Sequence, residues 1–410
     1  MKTLQPTDPA NRIEILDVLR GFALLGIIFN NILYLSGYSF IPFDEPGRLP
    51  NFQLNEKLYE FLDIIITGKF YTLFSLLFGV GFYLQFSKYR QESKHFLKTY
   101  SRRLFILLAI GFIHSLIWFG DILFLYAIIG FILILFRNVK SKNLLRWAVF
   151  FIFLPVLMDV IVLLLFRIPE TMGAVQQAPL AHSSFPDMTP AAVMDTFQNG
   201  TISQLFFLNI HHLIWKWMSY IPQGRFIITL GIFLLGAYLS SIQFFTGKTK
   251  TTCLWISTLI IGLLATVSAH IMGGNIYQFP PTPSNTLYKA LLVMGQTTLS
   301  LFYIVTVFKI VQTALGRRVL EFLKPVGRMA LTNYIFQTIV LIVIFYNVGF
   351  DLFGRTDLFV TVGLAILVLA SQIVMSHIWL QHYRFGPLEW LWRSLTYKRR
   401  INIRYENLPR

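Results

Sequence analysis

Ten stretches of roughly twenty mostly apolar residues recur along the chain, and the short segments between them hold most of its charge. They lie near residues 15–36, 62–86, 104–120, 122–137, 147–167, 225–245, 252–272, 288–311, 327–347 and 358–381. Inside a bilayer no water is available to the backbone, so a run of this kind can satisfy its N–H and C=O groups only as a helix. The pattern predicts an all-α, polytopic membrane bundle of about ten transmembrane helices. Composition agrees, since 55% of the 410 residues are hydrophobic and 13% are charged, more apolar surface than a soluble chain could hide. The single cysteine, Cys253, excludes an internal disulfide and a cysteine-based metal site.

A net charge of +16 would suit a nucleic-acid partner, but the basic residues are distributed as the positive-inside rule expects. With the N-terminus placed inside, Lys and Arg on the inner segments outnumber those on the outer ones by roughly five to one. Both termini are then cytoplasmic, the bilayer is the partner, and no nucleic acid is expected. The expected organisation is an N-terminal bundle of about five spans over 1–167 and an external loop over 168–224. A C-terminal bundle of about five spans over 225–397 follows, then a basic cytoplasmic tail over 398–410. Within the loop, 201-TISQLFFLNIHHLIWKWMSYIPQG-224 reads as an amphipathic helix at the outer interface, because an extra span would invert every later loop.

Polar groups inside spans are costly and call for a reason. Asp17 and Arg20 lie one turn apart at the inner end of the first span, either as a structural ion pair or as part of a site. Asn30 and Asn31 lie near its far end, and Asn31 returns to nearly the face of Asp17. In 68-GKFYTLFSLLFGVGF-82, Lys69 falls in the outer half, where it either snorkels or is buried, and Gly79 and Gly81 suit close helix packing. In 111-GFIHSLIWFGDILFLYA-127, His114 precedes Asp121 by seven residues across a tight helical hairpin. The two form either a satisfied pair or a carboxylate-oriented imidazole fit for proton transfer. Arg328 lies near the inner end of a later span, with Asn333 and Gln337 one turn apart above it as candidates for interhelical hydrogen bonds. The C-terminal Trp390, Trp392 and Tyr397 read as an inner interfacial anchor without chemistry.

The segments LDVLRGFALLGIIFNN, KFYTLFSLLFGVGF, GFIHSLIWFGDILFLYAIIG, VGRMALTNYIFQT and FGPLEWLWRSLTY together resemble, in order, the DUF418 or YeiB-like family of bacterial membrane proteins. That resemblance implies a multi-pass protein of the bacterial plasma membrane. The opening Asp-x-x-Arg-Gly pattern is also similar, more distantly, to that of transmembrane acyltransferases such as the lysosomal heparan glucosaminide N-acetyltransferase. This second resemblance implies transfer of an acyl group from cytosolic acyl-CoA, as co-substrate, to a sugar, lipid or other small-molecule acceptor at the outer face. By that likeness Asn31 matches an active-site asparagine. The family's catalytic histidine lies in the loop after the first span, whereas residues 37–57 here hold no histidine.

His114, oriented by Asp121, is the nearest replacement. The expected site therefore comprises His114, Asp121 and Asn31 as catalytic residues, with Asn30 or Lys69 at the substrate or its oxyanion. Asp17, Arg20, Arg328, Asn333 and Gln337 supply the polar groups toward the inner face. No resident cofactor or metal is expected. A transporter or lipid-handling protein that uses the same polar stripe is the alternative reading.

Overall fold

A computed structural model describes residues 13–41, 52–88, 93–166, 189–246 and 251–405. The middle of the histidine-free loop (42–51), the proline-bearing stretch before residue 189 and the last five residues of the basic tail lie outside the described residues. The described chain is helical apart from connections: α1 (Glu14–Leu35), α2 (Phe52–Ile65), α3 (Lys69–Lys88), α4 (Ser93–Ile117), α5 (Leu123–Leu133), α6 (Ser141–Phe166), α7 (Pro190–Asn199) and α8 (Ile202–Gln223). They are followed by α9 (Arg225–Ser241), α10 (Thr252–Met272), α11 (Pro283–Val311), α12 (Ala314–Leu320), α13 (Leu323–Arg328), α14 (Ala330–Phe345), α15 (Leu358–His382) and α16 (Pro387–Tyr397).

Seven helical segments are long and apolar enough to cross a membrane, and an eighth arises if α8 and α9, bent by 70°, count as one. Two shorter apolar helices, Leu123–Phe136 and Ala330–Phe345, accompany them. Each apolar run read from the sequence thus falls in helical structure, the second and ninth divided between two helices, and the protein is an all-α polytopic bundle. Large apolar side chains face outward along these helices, among them Leu164 at 73%, Leu264 at 65% and Leu367 at 66% exposure, as a lipid-contacting surface requires.

The boundaries differ from the expected ones where backbone geometry intervenes. The second run is cut at Gly68, whose φ of +79° an L side chain rarely adopts, so α2 ends there and Lys69 opens α3. A second left-handed glycine, Gly224 at φ +65°, makes the bend between α8 and α9. A Cβ on Gly224 would stand 2.3 Å from the ring of Pro155, so α6 seats the elbow from outside. Lys289 of α11 holds it from another side by donating to the Pro222 carbonyl at 2.9 Å and pairing with Asp159 of α6.

Small residues set the closest helix approaches. A Cβ on Gly79 would come within 1.9 Å of the Phe233 carbonyl, and one on Gly236 within 2.0 Å of the Leu76 carbonyl, so α3 and α9 touch backbone to backbone. Gly81 does not share this role, because its nearest neighbour is the Arg20 guanidinium at 3.9 Å. Gly21 and Gly327 make the matching contact between α1 and α13, against Leu323 O and Asp17 O. On the hairpin, Gly111 lets α4 close on the Leu123–Phe124 backbone of α5.

Candidate functional site

The turn from α4 to α5 covers residues 118–122, and two carboxylate oxygens organise it. Asp121 Oδ1 lies 2.7 Å from His114 Nδ1, and Asp121 Oδ2 accepts from the Phe124 backbone N–H at 2.8 Å, holding the first turn of α5. A carboxylate accepts from an N–H at Nδ1, and an imidazole held in that way has its Nε2 as the second functional nitrogen. His114 and Asp121 are each 2% exposed, and His114 Nε2 is buried without a hydrogen-bond partner. Trp118 Nε1 is in the same condition. The Trp118 ring lies edge-on to His114 at 6.2 Å, and that of Tyr334, from α14, at 5.2 Å.

The helix expected at the outer interface completes this site. Its apolar residues Phe207, Trp215, Met218 and Ile221 face outward, at 61%, 43%, 59% and 75% exposure, while Asn209, His212, Lys216, Tyr220 and Gln223 are buried. In lipid the polar stripe of an amphipathic helix seeks the bundle interior, and the hairpin turn offers it unpaired backbone groups. Asn209 Oδ1 accepts from the Phe119 N–H at 2.6 Å, and its Nδ2 donates to Ser115 O and Leu116 O, both at 3.0 Å. Lys216 Nζ donates to Phe119 O at 2.8 Å and to Asp121 O. The Thr201 and Gln204 capping box starts this helix, so its stripe has a defined register.

The other sequence-selected residues occupy separate places. Asp17 and Arg20 pair at 2.8 Å at the opposite end of α1 from Asn30 and Asn31. Those two asparagines are half-buried, and no hydrogen bond joins either to another described side chain. The helix leaves them near the hairpin, since Ile28 and Ile32 pack in one apolar cluster with Trp118. Lys69 is buried, and its ammonium donates to Asp63 O at 2.7 Å, closing the end of α2. It therefore neither snorkels nor touches the dyad.

Arg328 donates to Arg384 O at 3.1 Å and lies 3.4 Å from the Tyr405 hydroxyl, near the inner end. Asn333 donates to Val326 O and Ser376 Oγ, while Gln337 donates to Gln372 Oε1, which in turn donates through Nε2 to Asn333 O. This chain of amides joins α14 to α15 and so fixes the helix that carries Tyr334.

The helix α16 packs on α4 and α14 through specific polar contacts. Trp392 stacks under the Arg103 guanidinium at 4.0 Å and donates to Arg103 O. Glu389 is buried and accepts from the N–H groups of Leu331 and Thr332 and from the Thr332 hydroxyl, at 2.7, 3.1 and 2.6 Å. It caps α14 from outside that helix. Burial pushes the Glu389 carboxyl above its ordinary range, with the hydrogen bonds from Thr332 and Leu331 opposing in part.

Among the described residues no group of three or more His, Cys, Asp and Glu could hold a metal ion. Asn209, Lys216, Tyr334 and Glu389 escaped the sequence reading. The first two had a signal, because Asn209, Lys216 and Gln223 repeat every seven residues on one face.

Residues 226–399 match the family described as "Protein of unknown function (DUF418)". The chain is 34% identical to the uncharacterized protein YxaH of Bacillus subtilis over 418 residues, covering 97% of each chain. It is 29% identical to an uncharacterized 39.9 kDa protein of Bacillus acidopullulyticus, encoded in the amylase 3' region, over 98% of each chain. It is 28% identical to the uncharacterized protein YeiB of Escherichia coli over 93% of this chain and 95% of that one. No solved structure matches it significantly.

Proposed function

The chain belongs to the DUF418 family of multi-pass membrane proteins, and on that premise we propose that it is a transmembrane acyltransferase of the bacterial plasma membrane. The observation that carries the reading is the dyad: an imidazole held through Nδ1 by a carboxylate, with Nε2 buried and unpartnered. That is the arrangement of a general base whose working nitrogen faces a substrate.

In the proposed reaction His114 Nε2 takes the proton of an acceptor hydroxyl or amine. The acceptor oxygen or nitrogen bonds to the thioester carbonyl carbon of acyl-CoA. The C–S bond then breaks, and the departing thiolate receives the proton from His114, leaving free CoA and acylated acceptor. Asn30 and Asn31, on the helix beside Trp118, are the proposed donors to the carbonyl oxygen as it becomes negative. Arg20 and Arg328, at the other end of the bundle, are the proposed partners of the acyl-CoA phosphates. Lys69 drops out of the proposed site because its ammonium is engaged by Asp63 O.

The test is a titration of detergent-purified protein with acetyl-CoA, free CoA and ATP, read as thermal shift, followed by assay of CoA release with sugar and lipid acceptors. A ligand that binds the folded state raises its melting temperature. A shift with acetyl-CoA and CoA, diminished in Arg20→Ala, is expected; none with any nucleotide removes the reading. One observation favours transport instead: at 2% exposure the dyad suits a proton site that opens only when helices part. Substrate accumulation in vesicles without chemical change would decide for that alternative.

A further inference from the structure

Arg225 opens α9 at the elbow, at the same end of the bundle as His114. Its guanidinium lies flat over the Tyr71 ring at 3.7 Å and 5.8 Å from that of Tyr220. Among the described residues no carboxylate pairs with it, and its Nε is buried without a hydrogen bond. By contrast Lys216, the neighbouring cation, is already engaged by two carbonyls, and Lys289 by Asp159. An arginine within a membrane bundle is costly unless something neutralises it.

Around Tyr220 of α8 two further tyrosines gather at this end: Tyr277, from the α10–α11 connection, packs on Trp215 of α8 at 5.5 Å, and Tyr34, of α1, on Phe119 of the hairpin turn at 6.4 Å. Tyr34 keeps 41% of its surface exposed and Tyr277 45%, so both rings are reachable from outside the bundle. Stacking on Tyr71 occupies one face of the guanidinium and leaves its N–H edge, with the Tyr220 hydroxyl beside it, as the part that binds two oxygens of an oxyanion side by side.

We propose that Arg225, with the hydroxyls of Tyr34, Tyr220 and Tyr277, forms a binding site for the carboxylate or phosphate group of a ligand entering at this end of the bundle. The oxyanion supplies the counter-charge that the protein does not, and the tyrosine hydroxyls donate to its remaining oxygens. The site does not depend on acyl transfer. It bears equally on a free organic anion and on the headgroup phosphate of a lipid.

The test measures thermal stabilisation of the detergent-purified protein by inorganic phosphate, by acetate and by phosphatidylglycerol, in wild type, Arg225→Gln and Tyr34→Phe. Saturable stabilisation of the wild type is expected, with apparent affinity weakened at least tenfold in Arg225→Gln and by a smaller factor in Tyr34→Phe. A response to phosphate or acetate identifies a free anion, and one to phosphatidylglycerol alone a lipid headgroup; either supports the site. No response to any of the three, or equal responses in wild type and Arg225→Gln, overturns it. If Arg225→Gln does not fold, Tyr34→Phe decides: affinity equal to wild type overturns the proposal. Acetyl-CoA in a parallel arm separates failure of this site from failure of the acyl-transfer reading.

Discussion

His114 Nδ1 and Asp121 Oδ1 meet at 2.7 Å across the seven residues that turn one membrane helix into the next. The same carboxylate fixes the start of the second helix through Phe124 N, so one side chain sets both the fold of the hairpin and the orientation of the imidazole.

If the imidazole is the general base, His114→Ala lowers acyl transfer by about 10²–10⁴-fold in a protein that still folds, with a lower melting temperature because Asp121 Oδ1 loses its buried partner. Asp121→Asn lowers it as well, because an amide can donate to Nδ1 and stabilise the wrong tautomer. Release of the CoA thiol, measured beside a melting curve for each variant, checks both. Unchanged turnover in His114→Ala would remove the dyad from the chemistry.

Asn209→Ala strips the partner from three backbone groups of the hairpin, at a cost of about 1–3 kcal/mol for each group left buried and unpaired. The variant melts lower in detergent than wild type. Phe207→Leu, two residues away on the outward face, is the control and melts as wild type does, since it trades one lipid-facing apolar group for another.

Glu389 makes stability depend on pH in a direction opposite to the usual carboxylate. Burial raises its folded pKa above the ordinary 4.5, so between those two values the folded state binds more protons than the unfolded. Its contribution is therefore greatest below pH 4.5 and is lost as pH rises through the folded pKa. Glu389→Gln, which keeps an acceptor for the two N–H groups and does not ionise, flattens that part of the profile. Melting curves for the two proteins across the window compare the slopes, and parallel profiles would show that another group carries the dependence.

Two glycines two residues apart answer differently to the same change. Gly79→Ala forces a methyl to within 1.9 Å of the Phe233 carbonyl, an overpacking that costs about 1–3 kcal/mol and spreads α3 from α9. Gly81→Ala meets nothing closer than the Arg20 side chain at 3.9 Å and gains about 0.5–1 kcal/mol from reduced backbone freedom in the unfolded chain. Equal melting temperatures for the two variants would contradict the backbone contact between α3 and α9.

The bundle was legible because membrane helices announce themselves by length and apolarity, and the dyad because seven-residue spacing across Gly120 and Asp121 leaves little room for any other hairpin. What stayed hidden was the partner of each polar group. Asn209 and Lys216 form a stripe that sequence periodicity can find, but whether that stripe meets headgroups or the hairpin depends on the 70° bend at Gly224. The elbow that Gly224 makes is held in place by Pro155 and Lys289, distant in sequence. Likewise Lys69 is a cation in an apolar run whichever way it points. Its contact with Asp63 O follows from the break at Gly68, a local backbone event with no apolar signature.

The cap on α14 has a consequence for the order in which the protein can be finished. Ribosomes supply Leu331 58 residues before Glu389, so the helix bearing Tyr334 is made with its first turn open. It gains its acceptor only after α15 has crossed and α16 has docked beside Arg103. The wall of the His114 site is thus closed by a helix made well after α14 itself, and a chain cut short before that helix carries every residue of the dyad in a bundle whose α14 lacks this cap.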